Sequence, residues 1–179
     1  MMHTWTRWTT VVAALALLTG TAGQAHSPRH FHLRGTIADA TVPSDGAWVI
    51  RGTWSLDAIE GPHGELYHAD FSAALTMERS DYWLVTNPAA DPELLSTRNA
   101  HTHHIRLFHG RVTPIENGFE VKGDGTVTVN GGNPPFDKTS CITVDITGNT
   151  LVRFSNLKLT FGDPASTHFG DNPIAGVVR

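Results

Sequence analysis

Four histidines fall within nine residues in the run Asn99-Ala100-His101-Thr102-His103-His104-Ile105-Arg106-Leu107-Phe108-His109. The run has strand character, and successive side chains on a strand point to opposite faces. His101 and His103 therefore share a face with Ile105 and Leu107, and His104 points the other way. Two imidazoles two residues apart on a rigid strand form a chelating pair, and neutral imidazole is the commonest protein ligand for transition metals. The chemistry implied is a site for a divalent transition metal: zinc, copper, iron or manganese. Such a site needs at least one more ligand. His168 is a candidate, as are His30 and His32, an alternating pair in Arg29-His30-Phe31-His32-Leu33, and His68. The competing reading makes these histidines polar strand residues that line a wet groove.

Three resemblances bear on the site. His101-Thr102-His103 resembles the histidine pair of cupin-like jelly rolls, which add a carboxylate a few residues later and a further histidine on a later strand. Here Arg106 follows, no Asp or Glu occurs before Glu116, and His168 lies in a Gly/Pro-rich segment. A chain processed after Ala25 would begin at His26, whose amino and ring nitrogens together chelate copper. That is similar to the histidine brace of secreted copper oxygenases and periplasmic copper carriers, although Ser27-Pro28-Arg29 matches no signature of theirs. Phe71-Ser72-Ala73-Ala74-Leu75 followed by Ala100-His101-Thr102-His103 resembles the chordin-like repeat, without the Gly-rich residues that normally follow its histidines. No function is carried over from it.

The alternative to a metal site is a metal-free β-barrel that binds or isomerises a small apolar ligand. His68 and Asp70 share a face of Tyr67-His68-Ala69-Asp70-Phe71 and would serve acid–base chemistry there, but the pair reads more simply as a surface ion pair. A third reading is a purely structural or interaction domain. Nucleophilic catalysis finds no Gly-x-Ser-x-Gly elbow, and no Walker A or dinucleotide fingerprint occurs. Asn130-Gly131-Gly132-Asn133-Pro134-Pro135 reads as a loop, and Cys141, in an apolar strand pattern, as a buried inert thiol. Trp48 and Trp54 share parity and suit either a β core or a cavity wall.

The first 25 residues read as a secretory signal peptide. Arg7 supplies the positive region, Val11 to Leu18 the apolar core, and Gly23-Gln24-Ala25 the small-x-small cleavage pattern. The core is too short to span a bilayer, which needs about 20 apolar residues. The expectation is a secreted or periplasmic product with no membrane span. Residues 26–179 form one domain of a size that needs no staples, in keeping with a single cysteine. The chain carries 13 basic and 17 acidic residues, with no basic stripe, which argues against nucleic acid as a partner. The partners expected are a metal ion or a small molecule.

These side chains must be positioned by strands, because nearly every segment after residue 30 alternates with period two between Gly, Pro, Asn and Asp. Strands are expected at Phe31 to Ile37, Ala47 to Leu56, Ala69 to Met77, Tyr82 to Val85 and His101 to Phe108. They continue at Phe119 to Lys122, Thr126 to Val129, Ile142 to Ile146, Leu151 to Phe154 and Leu157 to Phe161. Thr147 to Thr150 and Asn117-Gly118 read as hairpin turns, and Gly123-Asp124-Gly125 as a bend within a hairpin arm. One short helix is expected after Asp91, begun by Pro92. Gly162 to Gly176 reads as irregular, placed to pack across an open end. The fold class is all-β, an antiparallel barrel or a sandwich, with a jelly-roll arrangement among the sandwiches.

Overall fold

A computed structural model describes residues 29–43, 46–60, 66–89, 92–150 and 153–179. The leader, His26 and Asp91 lie outside the described residues. The period-two segments form eight strands: β1 (Arg29–Thr41), β2 (Trp48–Glu60), β3 (Leu66–Arg79), β4 (His101–Ile115), β5 (Gly118–Val129), β6 (Thr139–Thr150), β7 (Arg153–Phe161) and β8 (Ile174–Val178). Each strand pairs antiparallel with the next, and β8 returns to β1, so the sheet is a closed up-and-down barrel rather than a sandwich.

Closure rests on a close approach at Gly35. It pairs with Val178, and a Cβ there would lie 1.8 Å from the Val177 carbonyl oxygen and 2.7 Å from Trp54 Nε1. Trp54 Nε1 donates to that same carbonyl at 3.2 Å, tying β2 to the closing strand. Alternation supplies the core. Ile105 and Leu107 of β4 point inward, as do Ile142, Val144 and Ile146 of β6, all fully buried. Eight strands enclose a space just wide enough for side chains to fill, and each such burial stabilises by about 1.5–3 kcal/mol. Phe31, Phe119 and Phe154 meet edge to face at the end where β1 begins. The connections β1–β2, β3–β4, β5–β6 and β7–β8 gather at the other end, where β4 begins with His101.

Several expectations are corrected. Tyr82 to Val85, rich in strand-favouring types, lies in a helix, α1 (Asp81–Thr86), whose start is capped by the Ser80 hydroxyl accepting from Trp83 N at 3.2 Å. The expected short helix is α2 (Pro92–Thr97). Phe119 to Lys122 and Thr126 to Val129 are one strand, because Gly123-Asp124-Gly125 continues pairing with β6 while the register with β4 shifts between Leu107 and Arg111. No turn lies at 147–150: β6 runs on to Thr150, which pairs with Arg153, and Leu151 and Val152, where a strand was expected to start, lie outside the described residues. The segment expected to be irregular holds α3 (Ser166–Phe169) and the start of β8. Cys141 is half-buried on the outer face of β6, since Ser140 and Ile142 take the inward parity.

Candidate metal centre

His101 and His103 open β4 on the inward face, as their parity with Ile105 and Leu107 requires. The third histidine comes from the β7–β8 connection. His168 sits on α3, and its Nε2 lies 3.2 Å from His101 Nε2 and 3.0 Å from His103 Nε2. One ligand atom from each residue falls within 4.8 Å of the others. Tetrahedral coordination at about 2.0–2.1 Å separates ligand nitrogens by about 3.3–3.4 Å, so His168 already stands near that spacing from both partners, while the ligand atoms of His101 and His103, within 4.8 Å, must draw together around an ion.

Backbone features aim each ring. Arg98 and Asn99 take positive φ, 56° and 49°, which turns the chain before β4. The Asn99 carbonyl oxygen then lies 2.7 Å from His101 Nδ1. A carbonyl only accepts, so Nδ1 carries the proton and Nε2 presents its lone pair inward. Between the two ligands, Thr102 is held on both backbone groups by Asn130: its N–H donates to Asn130 Oδ1 at 2.9 Å, and its carbonyl accepts from Asn130 N at 2.7 Å. α3 is anchored by buried Ala165 and Phe169, and Phe169 stacks on Phe161 at 4.1 Å. The Thr41 hydroxyl donates to the Phe169 carbonyl, and Ser166 Oγ donates to the Asp163 carboxylate. These ties fix His168 over the barrel mouth.

The surroundings are aromatic. Trp48 meets His101 edge-on at 5.1 Å, and the His103 ring lies 4.9 Å from Phe169 and 6.5 Å from Phe136. Arg79 is 8 % exposed, and its guanidinium covers Trp48 at 3.9 Å and Trp83 at 4.4 Å, so a cation–π stack backs the wall behind His101. Burial, then the His168 and His101 charges, push the His103 pKa down to about 3, against a weaker opposing pull from the Thr128 backbone. His103 is thus neutral at ordinary pH, as a ligand must be. Its Nδ1 is buried and makes no hydrogen bond of normal geometry.

With all three rings neutral, one proton satisfies only one of the two contacts of His168 Nε2. His101 Nε2 is a lone pair, and His168 Nε2 stands between it and His103 Nε2. If His168 Nε2 carries a proton, it can donate along only one of the two directions. If His103 Nε2 carries one instead, His168 and His101 face each other lone pair to lone pair at 3.2 Å. A cation answers all three at once. The trio borders a cavity of about 410 Å³ lined also by Trp48, Asn99, Ala100, Val129, Asn130 and Pro135, with no acidic side chain among the described residues of its wall.

The other candidates lie elsewhere. His30 and His32 take the outward parity of β1, because Phe31 and Leu33 pack toward the core; both are exposed, at the end where β1 begins. His32 Nδ1 lies 2.7 Å from Asp57 Oδ1 instead. His68 is exposed on β3, and Asp70 accepts from the His109 backbone N–H at 2.7 Å rather than holding the His68 imidazole. His104 is exposed on the outer face. Asn99, Asn130, Phe136 and Phe169 were not anticipated at the site. The sequence signal for Asn130 was its place in Asn-Gly-Gly directly after a strand, where a positive φ, here 46°, suits it. No protein-family model, curated protein or solved structure matches the chain. Among the described residues, no helix is long and apolar enough to cross a membrane.

Proposed function

We propose that this protein is a metal-binding β-barrel that holds one divalent transition ion on the Nε2 atoms of His101, His103 and His168. The observation that carries the reading is the convergence of three imidazole nitrogens, with His168 Nε2 at 3.2 Å from His101 Nε2 and 3.0 Å from His103 Nε2. The neutral state of His103 and the tautomer imposed on His101 by Asn99 support it. Three imidazoles without a carboxylate suit zinc or copper better than manganese, which prefers oxygen ligands, or iron in a site of two histidines and a carboxylate. The leader pattern supports assigning this chemistry to a secreted or periplasmic product of residues 26–179.

The test is the metal content of protein made without a histidine tag, before and after equilibration with zinc or copper. One ion per chain, lost in both His101→Ala and His168→Ala, supports the reading. Protein that takes up no metal and unfolds identically with and without chelator overturns it. An apolar molecule recovered from such metal-free protein would point instead to the ligand-binding barrel.

A further inference from the structure

The geometry points to an open fourth coordination position that takes a small oxyanion, with the Asn130 side-chain amide as its hydrogen-bond donor. The inference rests on the metal reading and extends it to what the metal binds. Three histidines account for three of four tetrahedral positions, the pattern of sites that act on an exogenous ligand rather than of closed structural sites. The ligands are not sealed in: the cavity of about 410 Å³ includes His101, His103 and His168 in its wall, which leaves room for a molecule of several heavy atoms beside the ion.

Charge decides what kind of molecule. A divalent ion on three neutral imidazoles keeps its full double positive charge, because Trp48, Asn99, Ala100, Val129, Asn130 and Pro135 contribute no carboxylate to the wall. Burial against Trp48, Phe136 and Phe169 lowers the local dielectric, which strengthens the attraction for an anion.

Asn130 supplies direction. The Thr102 N–H donates to its Oδ1 at 2.9 Å, so the oxygen end of the amide is assigned by its partner and Nδ2 is the end left to donate. The amide cannot turn over without setting N–H against N–H. A carboxylate-like anion can place one oxygen on the ion and offer another to Nδ2. The chemistry selected is a small planar or tetrahedral oxyanion such as a carboxylate or hydrogencarbonate, in preference to an amine or an extended apolar molecule.

Cobalt(II) in place of the native metal makes this visible, since tetrahedral and five-coordinate cobalt differ strongly in visible absorption. Tag-free protein is loaded to one cobalt per chain, verified by metal analysis, and titrated with acetate, with azide as a second probe. The inference expects a saturable spectral change at one anion per cobalt. Asn130→Asp keeps the acceptor for Thr102 but replaces the donor with a negative oxygen. It should hold cobalt and weaken acetate by about tenfold or more, the size of one charge-assisted hydrogen bond. A wild-type spectrum indifferent to either anion at about 100 mM, far beyond useful affinity, refutes the open position while leaving metal binding intact. Equal acetate affinity in Asn130→Asp refutes the role of the amide. Failure to bind cobalt or zinc at all removes the metal reading itself.

Discussion

Replacing His103 with leucine separates a metal site from a structural polar cluster, because the two readings demand opposite signs. His103 is fully buried, its Nδ1 has no hydrogen-bond partner of normal geometry, and its Nε2 faces His168 Nε2 at 3.0 Å. Without metal, that arrangement costs stability: one unmade buried hydrogen bond alone is worth about 1–3 kcal/mol. Leucine removes the orphan atom, follows the apolar parity of Ile105 and Leu107, and leaves His168 its contact with His101 at 3.2 Å. Part of the gain is offset because leucine cannot reproduce the packing of the imidazole ring against Phe136 and Phe169. The net expected in chelator is a gain of about 1–2 kcal/mol, or about 2–8 °C in Tm for a domain of this size. With zinc at about 100 times its Kd, the wild type gains about 2.7 kcal/mol, or about 5–11 °C, while a variant short of one ligand gains little. The order of stabilities therefore inverts between chelator and zinc. Urea unfolding followed by tryptophan fluorescence, paired with thermal far-UV circular dichroism, reads both conditions. A variant less stable than wild type in chelator, with the same response to zinc, refutes the reasoning.

Further outcomes follow from the same geometry. In chelator, the stability of the wild type should fall as pH drops from about 6.5 to about 3. The unfolded histidine takes a proton in that window and His103 in the fold does not, a contribution of up to about 4–5 kcal/mol; unfolding across pH should show His103→Leu lacking that share of the acid loss. Copper(II) should quench the emission of Trp48, 5.1 Å from His101 and 5.7 Å from His168, and fluorescence titration of Trp48→Phe should lose most of the effect while Trp54 and Trp83 still emit. Gly35→Ala sets a Cβ 1.8 Å from the Val177 oxygen and should cost roughly 3 kcal/mol or more by breaking barrel closure, seen as early unfolding in urea, whereas alanine at Gly131, with open space around it despite a φ of 78°, should cost less.

Strand parity made half of the centre legible from sequence. His101 and His103 alternate in phase with Ile105 and Leu107, so the apolar residues that claim the interior carry the histidines with them. The same rule, applied fully to β1, excludes His30 and His32: there Phe31 and Leu33 claim the interior and turn both histidines outward. Period-two alternation bounded by Gly, Pro, Asn and Asp made the all-β class readable, but barrel closure was not. It depends on a five-residue strand, Ile174–Val178, too short to display alternation in its sequence, and on the space left at Gly35. His168 stood among the candidates without anything local to single it out. Its position comes from β7 ending beside β6 and from Phe169 stacking on Phe161, contacts between segments distant from β4 in sequence. Tyr82 to Val85 misled because aromatic and β-branched residues favour strands only where a neighbouring strand receives them. Here the Ser80 cap and the turn toward α2 offered none.

The most direct measurement is X-ray absorption at the metal edge of the zinc-loaded, tag-free protein. The account predicts three imidazole nitrogens at about 2.0–2.1 Å, with the outer-ring scattering typical of histidine, plus one oxygen ligand without that outer scattering. Loss of one histidine shell in His168→Ala should accompany it. A first shell made only of oxygens, or one unchanged by that substitution, would contradict a centre built on His101, His103 and His168.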